Sequence, residues 1–272
     1  MKISIYTFIK DGIYFDYHIV QMLKHHLPLA DEIIVNEGYS SDETYEKIRN
    51  LDPKIKISRE KWDLSDASWH VKFKENARKH CTGDWCILLD ADEFIPEWEF
   101  ENIRNHLEKT ERVIIPMKFI HFYGNYKVYN TNPTKFSWPL FKYTIHKNQT
   151  DIEVWGDGSN VRLKDSQIKI GNPSEYFECH HFGFVRNPAR LRHKWRALQY
   201  NSNPVLRTTY GKKIGFLFDL FPYDWFSEEY INDLALYDGP LIKAVREEPE
   251  EFIRDKFALY DFLSTHLKTM HV

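Results

Sequence analysis

The chain has 272 residues, of which 42% are hydrophobic and 28% are charged, and its formal net charge at pH 7 is −3. This is an ordinary globular composition, and the small negative charge gives no general attraction to nucleic acid or to an anionic membrane. The three cysteines show no metal-ligand spacing and indicate neither a disulfide framework nor a zinc site. No apolar run approaches the roughly 20 residues of a membrane-spanning helix, and the chain opens on a predicted strand rather than a signal peptide. We therefore expect a cytoplasmic protein without a transmembrane segment, with peripheral membrane association left open.

The first 123 residues alternate between predicted strands and predicted helices. Apolar runs without alternation predict buried strands, and apolar residues at helical spacing predict the segments between them. The strands are expected at residues 2–8, 31–37, 55–58, 85–90 and 113–122, and the helices at residues 15–27, 41–49, 69–80 and 97–109. This order predicts an α/β protein with a mainly parallel central sheet and right-handed crossovers, the nucleotide-binding half of many α/β enzymes.

The pattern changes from about Gly124 onward, where turn signals separate short strand candidates such as residues 136–144. Helical patterns follow at residues 186–199, 227–237 and 249–267. We predict one catalytic unit and one tail, with the boundary near Pro204. The predicted parts are a nucleotide-binding half at residues 1–123, an acceptor or catalytic half at residues 124–204, and a helical C-terminal extension at residues 205–272.

The acidic run Asp90-Ala91-Asp92-Glu93 is the most informative feature of the chain. It follows an apolar segment, residues 85–89, that reads as a strand covered on both faces. The acids therefore lie at the carboxyl end of that strand, where open α/β sheets bind their ligands. Asp90 and Asp92 can both present oxygen to Mg²⁺ or Mn²⁺. The alternative is that they cap the helix that begins near Pro96.

Two segments resemble the signatures of family 2 glycosyltransferases. Residues 31–44, which read Asp-Glu-Ile-Ile-Val-Asn-Glu-Gly-Tyr-Ser-Ser-Asp-Glu-Thr, are similar to the nucleotide-binding signature of that family, and residues 89–93 resemble its metal-binding motif. The approach to that motif from Asn76 also matches, so the resemblance covers roughly residues 1–120. The chain departs from the pattern at Asn36-Glu37, where two aspartates are usual, and at the additional Tyr39. The resemblance implies a GT-A fold, Rossmann-like with helices flanking the sheet, a mixed second half and a helical tail.

The resemblance also implies how the acidic loop is used. In the family the second aspartate of the motif binds the metal directly and the first tends to contact the ribose, which implies Asp92 as the metal ligand and Asp90 beside ribose and metal. A sugar diphosphate carries adjacent negative charges, so carboxylates can approach it only with a cation between them. The implied cofactor is Mn²⁺ or Mg²⁺, and the implied partner is a nucleoside diphosphate sugar.

Other residues of the first half are candidates for contacts with the donor. The loop that includes Thr7 is expected around the base and ribose. Glu37 would accept a hydrogen bond from an imide N–H of the base, with a helix-capping role as the alternative. Lys74 and Asn76 lie on the preceding helix and could contact the base or the diphosphate, although surface exposure is the alternative for Lys74.

The second half contributes one histidine and a basic helix. His180 and His181 would point to opposite faces of a strand, so only one can enter a given site. The run from His181 to Arg186 resembles an H-x-G-x-x-R segment of some relatives, and enzymes of this fold often use a histidine from the second half as a metal ligand. We favour His181, with a hydrogen-bonded core histidine as the alternative. Arg186, Arg190 and Lys194 recur every four residues and suit a diphosphate leaving group, or else form a solvated basic face.

An inverting enzyme needs a carboxylate that acts as general base on the acceptor hydroxyl. Asp157, between two glycines, is the first candidate and Glu153 the second. An ordinary β-turn Asp-Gly is the alternative for Asp157.

We therefore predict a metal-dependent glycosyltransferase that moves a sugar from a nucleoside diphosphate sugar, in first place a UDP-sugar, to a hydroxyl of a glycan or other acceptor with inversion. Glycan or surface polysaccharide synthesis is the expected setting. The first alternative is a nucleotidyltransferase, although residues 5–12 lack the Gly-rich basic loop of that class. The second is a non-catalytic protein that binds sugar nucleotides, which the intact Asp90 and Asp92 disfavour.

Overall fold

The structure is a computed structural model, and it describes residues 1–62, 68–136, 138–164, 176–187, 190–191, 194 and 232–246. The strands that the described residues form are β1 (Ile3–Ile9), β2 (Glu32–Glu37), β3 (Ile55–Arg59), β4 (Trp85–Leu88), β5 (Glu93–Phe94), β6 (Ile114–Tyr123), β7 (Val128–Asn130), β8 (Phe141–Lys147), β9 (Ile152–Trp155), β10 (Asn160–Leu163), β11 (Phe177–Phe184) and β12 (Leu234–Leu236). The described residues also form the helices α1 (Ile19–His26), α2 (Thr44–Ile48), α3 (Trp69–Arg78), α4 (Phe100–Leu107) and α5 (Lys243–Arg246).

The first half of the chain forms the parallel part of the sheet, in the order β3-β2-β1-β4. β8 then pairs antiparallel with β4, and β6 antiparallel with β8. β11 lies parallel to β6 and antiparallel to the short β5, so it lies next to the loop that follows β4. The predicted α/β class, with a largely parallel sheet and a mixed second half, is confirmed.

Continuous apolar runs explain why β1, β2 and β4 lie in the middle of the sheet. All their residues are buried except Phe8, as expected for strands covered on both faces. Successive side chains alternate between two layers of the core. Ile5 and Ile87 pack with α1 and α4 on one face, whereas Tyr6 and Leu88 pack with Ala77 of α3 and the β9–β10 hairpin on the other.

Two predicted elements of the second half are wrong in place or type. The strand expected at residues 136–144 lies further along the chain, as β8, after a short 3-10 turn at Pro133–Phe136. Residues 234–236 of the helix expected at 227–237 form β12 instead, which pairs antiparallel with β7. Leu234 and Leu236 lie on the same face of β12, and burial falls from Leu234 to Leu236, so this short strand is covered only at its beginning.

The described part of the predicted C-terminal extension lies against the main sheet. Tyr237, directly after β12, packs edge-on against Phe122 of β6 with ring centroids 4.9 Å apart. The predicted helix at residues 249–267 and most of the one at residues 186–199 lie outside the described residues, so the boundary near residue 204 stays a prediction. None of the helices that the structure describes is long and apolar enough to cross a membrane.

Glu32, at the start of β2, ties three segments of the sheet together. Its carboxylate accepts hydrogen bonds from the Ser4 hydroxyl (2.6 Å), the Thr82 backbone N–H (2.6 Å) and the Lys56 ammonium (2.5 Å). Burial alone would raise the pKa of Glu32, but the Lys56 charge and the donors of Ser4 and Thr82 outweigh it and lower the pKa to about 2. The stabilisation is therefore complete above the ordinary pKa near 4.5 and is lost as the pH falls through about 2.

We expect Glu32→Gln to lower the free energy of unfolding by about 2 kcal/mol at pH 7, because the charge-assisted bonds are lost. The difference from wild type should shrink below pH 4.5 and vanish near pH 2. Urea unfolding across this pH range measures it. Glu43→Gln, which removes an exposed pair with Lys47, is the control and should change little. A Glu32→Gln deficit independent of pH would contradict the electrostatic explanation.

Candidate active site

A cavity of about 580 Å³ opens at the carboxyl ends of β1 and β4. Its walls come from the end of β1 and the following loop, from α3, from the Asp90–Asp92 loop, from β11 and from the turn between β9 and β10. This is the edge at which open α/β sheets bind ligands. Of the residues predicted for the site, those that line the cavity are Lys74, Asp90, Asp92, Asp157, His181 and Lys194.

Asp90 and Lys74 form an ion pair just beyond the carboxyl end of β4. Lys74 is buried on α3, and its Nζ lies 2.5 Å from Oδ1 of Asp90. The Asp90 backbone N–H donates to Oε2 of Glu93 at 2.8 Å, which holds the acidic loop in a tight turn. Lys74 is therefore directed into the cavity and is not a surface residue.

Asp92 is a buried carboxylate surrounded by cations. Its Oδ2 accepts a hydrogen bond from Arg186 at 2.5 Å and lies 3.4 Å from Nζ of Lys194. Burial alone would raise the pKa of Asp92, but its electrostatic interactions with Lys194, His181 and Arg186 outweigh it and hold the pKa well below its usual range. Burial lowers the pKa of the Lys194 ammonium to about 8, and Arg186 adds to this shift. Asp92 is therefore ionised at any physiological pH.

β11 brings His181 to the other oxygen of Asp92. The Phe182 backbone N–H donates to the Asp92 carbonyl at 2.8 Å, and His181 pairs with Glu93 in the β5–β11 register. Nε2 of His181 consequently lies 3.8 Å from Oδ1 of Asp92. His180 points to the opposite face, where its Nε2 lies 2.8 Å from Oε1 of Glu178.

Gly183 leaves the His181 ring open to the cavity. A Cβ atom at position 183 would lie 2.4 Å from Nε2 and 2.5 Å from Cε1 of His181, closer than atoms can pack. The backbone of Gly183 does not have a positive φ, so conformational freedom does not require glycine there. The requirement is space beside Nε2.

Residues 19–163, more than half of the chain, match the sequence model of glycosyl transferase family 2. The chain belongs to this family. It is a glycosyltransferase, and it uses a nucleotide-sugar donor. The family match decides against the nucleotidyltransferase and non-catalytic alternatives.

Solved structures with a similar fold include S. aureus TarS 1-349 in complex with UDP-GlcNAc, at 15% identity and a TM-score of 0.42, covering 86% of this chain and 79% of that one. Glucosyl-3-phosphoglycerate synthase from Mycobacterium tuberculosis, in complex with Mn²⁺, UDP and glucosyl-3-phosphoglycerate, has 16% identity and a TM-score of 0.32, covering 45% of each chain. The mannosyltransferase PcManGT from Pyrobaculum calidifontis, in complex with GDP-Man and Mn²⁺, has 16% identity and a TM-score of 0.33, covering 44% of this chain and 35% of that one. No curated protein matches the sequence.

Three of the site residues predicted in the first half do not line the cavity. Glu37 is wholly buried; its Oε1 accepts from the Ser40 backbone N–H and its Oε2 from Nε of Arg59, both at 2.6 Å. Asn76 donates to Oε2 of Glu60 at 2.8 Å. Thr7 is wholly buried in β1, and its hydroxyl has no hydrogen-bond partner among the described residues. Glu37 thus braces the turn before α2, and its contact with the base stays a prediction.

The two candidate bases lie in different surroundings. Asp157 lines the cavity from the β9–β10 turn, and its Oδ1 accepts from the backbone N–H of Ser159 at 3.0 Å. Burial would raise the pKa of Asp157, but the Ser159 donors and the charges of Lys74 and Lys142 lower it overall. Glu153 instead pairs with Arg162 across the hairpin at 2.8 Å. Only Asp157 is placed to meet a substrate in the cavity.

The basic helix is only partly described. Arg186 is buried, donates to the Phe15 carbonyl at 3.0 Å and holds Asp92, so it is directed at the acidic loop. Arg190 lies over the ring of Tyr14, with its Cζ 4.4 Å from the ring centroid. Lys194 is the member of this set that lines the cavity, and a contact of Arg186 with the diphosphate stays a prediction.

Sequence reasoning missed two polar residues of the cavity that lie on β6 and β8. Lys142 of β8 is buried, forms an ion pair with Glu93 and lines the cavity. The charges of Glu93 and Asp90 outweigh its burial and raise the pKa of Lys142. His121 of β6 lines the cavity beside His181, and burial lowers its pKa to about 4. Both strands carry other polar residues as well, so the sequence offers no signal that singles out Lys142 and His121.

Aromatic side chains form the wall near β1. Phe8 stacks on Trp62 with ring centroids 5.1 Å apart and tilts against Trp69 at 6.0 Å. All three line the cavity. Flat apolar faces of this kind can receive a planar base or a sugar ring.

Proposed function

We propose that the enzyme transfers the sugar of a UDP-sugar, with Mn²⁺ or Mg²⁺ bound at Asp92 and His181, to a hydroxyl of a glycan acceptor with inversion. The observation that carries this proposal is the pair formed by Oδ1 of Asp92 and Nε2 of His181, 3.8 Å apart at the cavity wall. This distance is too long for a hydrogen bond. Two ligands about 2.1 Å from one ion lie at most about 4.2 Å apart, so the pair suits a shared cation.

The donor set fits a cation that is also held by substrate. Across the described residues, no group of three or more His, Cys, Asp or Glu side chains is arranged to hold a metal ion. The protein would therefore supply an oxygen and a nitrogen ligand, and the diphosphate would complete the coordination. When bound, the cation would neutralise negative charge on the departing diphosphate. The space that Gly183 leaves beside Nε2 supports the same placement.

The cationic side chains have separate parts in this proposal. Arg186 holds Oδ2 of Asp92, which leaves Oδ1 directed at His181. Lys74 and Lys194 line the cavity from different parts of the chain and would attract the diphosphate. Asp90 would accept from the ribose hydroxyls, since its pairing with Lys74 keeps the carboxylate at the cavity mouth.

Aromatic residues would contact the two substrates. Phe8 and Trp62 suit the base, and uridine is the base that we favour. Trp138 lines the cavity beside the His121 ring, at a centroid distance of 5.7 Å. An aromatic face at this position suits a saccharide acceptor, which is why we favour glycan or surface polysaccharide synthesis.

Calorimetry with UDP, GDP and ADP, each with and without Mn²⁺, tests the donor and the metal together. We expect UDP to bind at least about tenfold more tightly with Mn²⁺ than without it, and more tightly than the other two. Release of the sugar from UDP-sugars should require the same ion. Equal UDP binding without metal would mean that Lys194 and Arg186 replace the ion and that metal dependence is wrong. Tighter binding of GDP or ADP would refute the donor assignment alone.

Asp157 is the proposed general base, because it is ionised and lines the cavity. We expect Asp157→Asn to lower turnover by about 10²–10⁴-fold with UDP binding unchanged. Steady-state kinetics and calorimetry measure the two quantities. Glu153→Gln is the matched control and should keep most of the activity, since Glu153 pairs with Arg162 outside the cavity. A larger loss in Glu153→Gln than in Asp157→Asn would reverse the assignment.

A further inference from the structure

We propose that His121 is a positioning residue: it fixes the tautomer of His181 so that the Nε2 lone pair faces Asp92. This inference rests on the proposed metal site. β6 and β11 run parallel with His121 directly opposite His181 in register. The two rings meet through their Nδ1 atoms, 2.8 Å apart, and the ring planes are nearly perpendicular at 85°.

The contact between Nε2 of His121 and the Pro139 carbonyl oxygen fixes the direction of the hydrogen bond between the two histidine rings. Its Nε2 lies 2.9 Å from the carbonyl oxygen of Pro139, which can only accept a hydrogen bond. Nε2 of His121 therefore carries a proton, and in the neutral ring Nδ1 is then an acceptor. The 2.8 Å contact between the rings needs one proton, which must be on Nδ1 of His181. Nε2 of a neutral His181 is consequently left with a free lone pair.

The reverse arrangement conflicts with the same distances. If Nδ1 of a neutral His121 carried the proton, its Nε2 lone pair would face the Pro139 carbonyl at 2.9 Å, and two acceptors would be in contact. The chain Pro139–His121–His181–Asp92 thus specifies one orientation. Ring nitrogens of metal-binding histidines are commonly fixed through the other nitrogen in this way, at a contribution of about 10–100-fold in metal affinity.

The competing explanation is that His121 only fills space, since it also packs against Trp138. Two substitutions separate these roles. Asn at position 121 places an amide oxygen close to the position of Nδ1, where it can accept from His181. Gln at position 121 places its amide close to the position of Nε2, where it can donate to Pro139 but leaves Nδ1 of His181 without an acceptor. Gln is also the closer match to histidine in volume.

Mn²⁺ affinity in the presence of UDP is the first measurement, made on the full chain by titration with paramagnetic detection. We expect His121→Gln to lose about 10–100-fold and His121→Asn to stay within about threefold of wild type. His180→Asn, on the opposite face of β11, is the control and should bind Mn²⁺ normally. Equal affinities for His121→Asn and His121→Gln, or a larger loss for His121→Asn, would overturn the inference.

Nitrogen-15 NMR of the histidine rings in the metal-free protein is the second measurement, because it distinguishes a protonated ring nitrogen from one with a free lone pair. The His181 signals are identified by their loss in His181→Ala. We expect a proton on Nδ1 and none on Nε2, and the opposite tautomer would overturn the inference.

The result for His181→Ala distinguishes an error in the proposed metal site from an error in the role proposed for His121. If this variant bound Mn²⁺ as well as wild type, the proposed metal site would be wrong and the inference with it. If this variant lost Mn²⁺ while both His121 variants kept it, the inference alone would fail.

Discussion

Asp92→Asn is expected to abolish the Mn²⁺ dependence of UDP binding and to lower turnover by at least about a thousandfold. The substitution keeps a side chain of the same shape but removes the negative charge that the cation and the two neighbouring basic groups share. Asp90→Asn is the matched comparison. It should weaken UDP binding through the ribose while the ratio of affinities with and without Mn²⁺ stays as in wild type.

Calorimetry on both variants, with thermal unfolding measured in parallel, distinguishes a lost ligand from a lost fold. Asp92 is buried against Arg186, so removal of its charge leaves a buried cation without a counter-charge and should also lower the melting temperature. The binding comparison is therefore made at a temperature at which each variant is folded. If Asp92→Asn retained the Mn²⁺ dependence of wild type, Asp92 would not be the metal ligand.

Gly183→Ala is expected to lower Mn²⁺ affinity and turnover by at least about a hundredfold, close to the effect of His181→Ala. The new methyl group would lie 2.4 Å from Nε2, so the His181 ring must rotate away. That rotation also breaks the 2.8 Å contact with His121. The backbone should accept alanine, because the φ angle of Gly183 is not positive.

Gly156→Ala is the control for Gly183→Ala. Gly156 has φ of +73° in the β9–β10 turn and open space around its Cβ position. Alanine there should cost about 1 kcal/mol of stability through backbone strain and leave Mn²⁺ affinity unchanged. Circular dichroism and Mn²⁺ titration of both variants complete the comparison. Normal Mn²⁺ affinity in Gly183→Ala would show that Nε2 of His181 is not a ligand.

Much of the first half could be predicted because its signals are local. An unbroken apolar run that is followed by Asp90 and Asp92 is sufficient to place two carboxylates at the carboxyl end of a buried strand. The alternation of side chains between the two faces of a strand is also a local property, and it explains why His180 and His181 lie on opposite faces. Errors arose where short segments have little burial of their own, as at residues 234–236, whose strand depends on the open edge of β7.

The sequence by itself determined the α/β order, the acidic loop at the end of β4 and the family of the enzyme, because periodicity and motifs are properties of contiguous residues. Only the tertiary structure decided which side chains meet. Arg186 lies 94 residues from Asp92 and His181 lies 60 residues from His121, and each pair is joined by the way β11 lies between β5 and β6. The same long-range packing turns Glu37 toward Arg59 and brings Asp157 to the cavity. Strand register and loop packing set these distances, and a single sequence carries no local pattern for either.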